Sequence, residues 1–133
     1  MSFATGTFEV ERKPQPADHA DIGNAIGRFL LDKRYKGALE AISKGVMIAA
    51  GTSVQGSAGY VAIEIVTGSL DGKGGSFALQ HNGIMNRGTG DLSVVVIPDS
   101  GTGDLSGISG KMSIVVKDGA HAYDFTYEIE SPK

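Results

Sequence analysis

The chain has 133 residues, no cysteine, and a net charge of −3 with no run of more than two basic residues. That length suits one domain, the missing thiols exclude disulfides, thiol catalysis and thiolate metal sites, and the lack of a basic stripe excludes a nucleic-acid footprint. Glycine fills 20 positions, about twice its usual share, while a hydrophobic content of 41% is ample for a packed core, so the glycines read as turns between many strands.

The opening MSFATGTFEVERK has no apolar stretch of signal-peptide length, and no later segment is long and apolar enough to span a bilayer. A cytoplasmic protein with no membrane partner is the expectation. The first strand is expected over Phe3–Lys13. After the break at Pro14 and Pro16, the segment PADHADIGNAI, Pro16–Ile26, allows one short turn of helix or an ordered loop. Ile26–Lys36 is the second strand, with Phe29, Leu31 and Tyr35 on one parity and Arg28, Asp32 and Arg34 as its polar outer side. Leu39–Ala50, Tyr60–Leu70, Gly75–Met85 and Leu92–Pro98 follow as the third to sixth, and Lys111–Lys117 and His121–Glu130 as the seventh and eighth. Asp71-Gly72-Lys73-Gly74 and Lys117-Asp118-Gly119-Ala120 supply turns, the second a short Asp-Gly hairpin suited to a type I′ geometry.

Eight antiparallel strands in a meander have two sheet edges to hide, and closing into a barrel removes both. The expected fold is therefore all-β, a closed eight-stranded antiparallel meander barrel, with a two-sheet sandwich as the alternative. A barrel of this size is either filled by side chains or holds one small ligand.

The hexapeptide GTGDLS occurs twice, at Gly88–Ser93 and Gly101–Ser106. The first copy runs straight into SVVVIP and starts a strand. The second enters a connector, Gly103–Met112, that echoes Gly68–Phe77 at an offset of 35 in the frame G-x-L-x-G-x-x-G-x-apolar. In each copy the leucine pins the outgoing strand and the glycines permit positive φ. Neither copy is a phosphate cradle. A P-loop needs Ser or Thr after Gly110-Lys111, where Met112 stands, and a dinucleotide fingerprint needs glycine at Ser106 and a helix afterwards.

LDGKGGSFALQHNG, Leu70–Gly83, the loop SGTGDLSGISG, Ser100–Gly110, the closing HAYDFTY, His121–Tyr127, and the opening TGTFEV together resemble a bacterial family of unknown function. The resemblance spans nearly the whole chain. It implies an allene oxide cyclase-like barrel with a lumen, a type whose relatives include enzymes that steer cyclisation of reactive small molecules by shape. No cofactor is implied. With no tryptophan and no close His-x-His pair, the lipocalin-like, biotin-binding and cupin barrels are set aside.

Strand parity nominates the candidate ligand-binding residues. His81 shares a face with Phe77 and Leu79, and His121 shares one with Tyr123, Phe125 and Tyr127. Each imidazole reads either as a core histidine satisfied by its neighbours or as a proton donor, acceptor or carbonyl polariser, with Tyr123 or Tyr127 as a phenol donor. Glu64 joins the set with its side in question. The opposite parity of Val61, Ile63 and Ile65 is the more apolar, which sends Glu64 to solvent; inside, burial would raise its pKa and make it a base near a histidine. His19, His81 and His121 match no metal-ligand spacing, so no metal site is expected.

The expected function is that of a carrier or sensor binding a small apolar molecule in the lumen. A cyclase or isomerase acting on a small hydrophobic substrate, and a structural module with a filled lumen whose outer strands form a homo-oligomer, are the alternatives.

Overall fold

Two-residue turns join β-strands at three places in the chain. Asp71–Gly72, Arg87–Gly88 and Asp118–Gly119 all carry positive φ at both positions (50° and 83°, 50° and 92°, 53° and 80°). This is the type I′ pattern, whose twist matches that of the strands it joins.

A computed structural model describes residues 1–130. Its strands are β1 (Ser2–Pro14), β2 (Gly27–Gly37), β3 (Leu39–Gly51), β4 (Ala58–Leu70), β5 (Lys73–Asn86), β6 (Thr89–Val96), β7 (Ile108–Lys117) and β8 (Ala120–Ile129). Each pairs antiparallel with the next, and β1 pairs with β8 from Ser2↔Tyr127 to Phe8↔His121, closing the barrel. The sandwich alternative is thereby excluded. Between Pro16 and Ile26 the helical content is one 3-10 turn, Gly23–Ala25, and no helix among the described residues is long and apolar enough to cross a membrane.

One end of the barrel is packed solid. Phe77 and Phe125 stack there with ring centroids 5.7 Å apart, and Leu39, Val66, Leu70 and Leu79 are buried around them. The second GTGDLS is the plug of that end. Gly103–Leu105 forms a 3-10 turn that drives Leu105 into the core. The loop is tied down by Thr102 N–H donating to the Ser76 carbonyl (2.8 Å) and Ala78 N–H donating to Ser100 Oγ (3.0 Å). A Cβ on Gly75 would lie 2.1 Å from the Thr102 carbonyl oxygen, so only glycine admits this approach. The 35-residue echo survives in three dimensions: Gly72 and Gly107 both have φ of 83°, and Leu70 and Leu105, like Phe77 and Met112, are all buried.

The barrel is not uniform around its girth. Other neighbouring strands pair along much of their length, but β6 meets β7 at one position among the described residues, Val95 opposite Lys111. The wall is loosest along that seam.

Candidate functional site

At the end opposite the plug, the barrel stays open. A cavity of about 710 Å³ results, walled by Val10, Met47, Ala49, Tyr60, Leu92 and His121 among others. Gly83 makes room for the Tyr60 ring, since a Cβ there would stand 2.3 Å from Tyr60 Cε1. His121 lies opposite Phe8 in the register, with ring centroids 5.1 Å apart. The lumen is thus half filled and half open.

Between the plug and the cavity lies a polar layer centred on Glu64. The apolarity of Val61, Ile63 and Ile65 argues for a solvent-facing Glu64, and the structure reverses this: Glu64 is 0% exposed, while those three are 50–51% exposed on the outside. The physical reason is register. The two-residue turn Asp71–Gly72 sets Val66 opposite Phe77, Glu64 opposite Leu79 and Ala62 opposite His81. Residues directly opposite in an antiparallel pair share a face, so the face that holds Phe77 and Leu79 also holds Glu64. The signal was in the sequence, and hydrophobicity within β4 alone points the wrong way.

Lys33 is the residue that sequence reasoning missed. It has the parity of Leu31 and Tyr35, and it is buried beside them. Its ammonium donates to Glu64 Oε2 at 2.7 Å and sits 5.1 Å from the centre of the Phe8 ring. β3 runs between β2 and β4, and Lys33 reaches Glu64 across it because β3 presents only Ser43 and Gly45 there. A Cβ on Gly45 would fall 2.9 Å from Glu64 Cβ.

Glu64 accepts two further hydrogen bonds, from the Tyr35 hydroxyl and from His81 Nε2 at 2.6 Å. Burial pushes its carboxyl toward protonation, but the His81 hydrogen bond and the Lys33 charge outweigh this and hold it down at about 2. Burial and the adjacent Glu64 charge raise the Tyr35 phenol far out of the physiological range. Because an ionised carboxylate only accepts, His81 Nε2 is the donor in its bond to Glu64. Ser43 Oγ is the one sealed side-chain polar atom without a partner among the described residues.

The structure divides the five sequence-nominated residues. It joins His81 to Glu64 and sets His121 at the cavity wall. Tyr123 and Tyr127 lie on the plugged side. The Tyr123 hydroxyl accepts from Leu39 N–H at 2.9 Å and lies 3.1 Å from the carbonyl oxygens of Lys36 and Leu39, latching the β2–β3 turn. The Tyr127 hydroxyl donates to Asp71 in the β4–β5 turn. Burial, and then Asp71, push its phenol up to about 12, so it stays neutral at physiological pH. His19 is exposed, well outside the barrel.

A family model described as a protein of unknown function (DUF3224) matches residues 4–127. A solved structure from Shewanella oneidensis MR-1, a protein of unknown function from the same family, is 46% identical to the chain, with 99% of each chain covered and a TM-score of 0.93. No curated protein matches. With the match running from the first strand to the last, the chain belongs to the DUF3224 family.

Proposed function

We propose that the protein binds a small, largely apolar molecule in the open half of the barrel. The observation that carries this is the cavity of about 710 Å³, within the range of ~300–1,000 Å³ usual for ligand pockets. Its walls are mostly aliphatic and aromatic, with Arg12, Asp91 and His121 as the polar groups among them. N-phenyl-1-naphthylamine, whose emission rises in an apolar pocket, tests the reading. Saturable enhancement is expected with the wild type, and Ala49→Trp, which fills the cavity wall, reduces it at least about tenfold, the equivalent of ~1.4 kcal/mol. Enhancement that never saturates, or that Ala49→Trp leaves unchanged, overturns the proposal.

A second reading is favoured by the outer surface of β2–β4. Leu30, Val46 and Ile63 form one cross-strand row and Ile48 and Val61 the next, with Ile65 beside them. All six are exposed. They form the apolar core around which an interface of ~800 Å² per partner is built, and Arg28, Lys44, Gln80 and Asn82 supply a polar rim. A gently curved sheet face is self-complementary under a two-fold axis, so the occupant is a second copy of this chain. Light scattering across a concentration series is expected to show a dimer in the wild type and a monomer for Ile63→Lys. A wild-type monomer throughout overturns this reading.

A further inference from the structure

The inner face of β1 brings a positive charge to the cavity. Arg12 lies opposite Leu31 in the register, and Leu31 is buried, so the pairing puts Arg12 on the face that looks into the barrel. Phe8 and Val10, at the same parity, pack in and against the core. Arg12 lines the cavity, and its guanidinium carbon sits 5.6 Å from the centre of the Phe29 ring. An aromatic face steadies a guanidinium without neutralising it. Other cations of this region are answered: Lys33 by Glu64, Lys13 and Lys44 by Asp32, and Arg28 by Asp18. No carboxylate pairs with Arg12 among the described residues. Asp91, also on the cavity lining, belongs to the other face of the wall, because it lies opposite Ile84, which is exposed on the outer side of β5. The remaining polar wall groups are His121 and the Tyr60 hydroxyl. Burial, and then the Glu64 charge, push the Tyr60 phenol up, so it keeps its proton and can donate it in a hydrogen bond.

We infer that the lumen ligand is an amphipathic monoanion, with an apolar frame that fills the cavity and one carboxylate that docks on the Arg12 guanidinium. This deepens the lumen-binding proposal and rests on it. The guanidinium fork offers two parallel N–H donors to the two carboxylate oxygens, and it is more weakly hydrated than an ammonium, so it gives up water more cheaply. One unanswered cation matches one negative charge, whereas a phosphate monoester brings nearly two. An ammonium head meets like charge on the inner face and finds its counter-charge, Asp91, only on the outer one. An uncharged ligand gains nothing from Arg12.

Three naphthalene probes of similar size test the assignment by displacing N-phenyl-1-naphthylamine from the full chain at neutral pH: 1-naphthoate, 1-naphthylmethylamine and the uncharged 1-methylnaphthalene. In the wild type, 1-naphthoate is expected to bind at least about tenfold more tightly than the amine, against the chain's net charge of −3. Arg12→Met keeps a long side chain over Phe29 and removes the charge. It is expected to weaken 1-naphthoate by at least about fivefold while changing 1-methylnaphthalene by less than about twofold. The wild-type comparison needs no variant, so it decides the question even where Arg12→Met does not fold. An amine that binds as tightly as 1-naphthoate, or 1-naphthoate affinity untouched by Arg12→Met, overturns the carboxylate assignment and leaves the lumen reading standing. Binding of none of the three overturns both.

Discussion

Glu64→Leu lowers the unfolding free energy by ~3–5 kcal/mol, and adding Lys33→Met restores much of the loss. The single change leaves an ammonium buried with 8% exposure and no counter-charge, and such a charge is far more costly than the pair it came from. The double variant removes both charges and fills the layer with apolar side chains. Recovery is partial, because the Tyr35 hydroxyl and His81 Nε2 also lose their acceptor. Urea unfolding followed by circular dichroism measures all four corners of the cycle. A single-variant loss below ~1 kcal/mol, or a double variant no better than the single, would show that Lys33 and Glu64 do not depend on each other.

The same cluster sets a limit on the acid side. Glu64 stands at about 2 in the folded chain against an ordinary 4.5, so the unfolded chain takes up its proton more readily. Its contribution is present above that ordinary value and is lost as pH falls from 4.5 through about 2. The melting temperature of the wild type is therefore expected to drop more steeply across this window than that of the Lys33→Met/Glu64→Leu chain.

Leu105→Ala costs ~2–5 kcal/mol through the loss of buried methyl groups and the cavity left behind, and it leaves probe binding at the open end unchanged. Leu105 is 1% exposed and packs in the core cluster with Phe77, Phe125 and Ile108. The loop around it cannot collapse into the gap. Ser76 and Ala78 hold it at two points, and a Cβ on Gly101 would stand 2.0 Å from the Leu105 carbonyl oxygen. Since the plug and the cavity lie at opposite ends, stability and binding separate. A variant that lost probe affinity while still folded at the assay temperature would contradict this division of the barrel.

Parity and turn chemistry, both local, made much of this molecule readable in advance. Eight strands, the Asp-Gly turns and the inward histidines all follow from residues near one another in the chain. The closed barrel follows from them, because a meander of eight strands has edges to hide. Glu64 shows where such reading slips. Parity sorts a strand into two faces without saying which is inner, and apolarity picks the wrong one when the outer face of Val61, Ile63 and Ile65 is itself exposed. The tight β4–β5 turn, used as a ruler for register, corrects it.

Nothing local could bring Lys33 to Glu64. They are 31 residues apart on strands that are not neighbours, and they meet because a small-radius barrel points all inward side chains at one axis, across a β3 thinned by Ser43 and Gly45. The sequence by itself determined the strands, their turns and the alternation of faces, since these depend on steric preferences a few residues long. Which end is plugged, which stays hollow, and which buried charge answers which were decided only by closure. That act sets distant side chains within reach of one another.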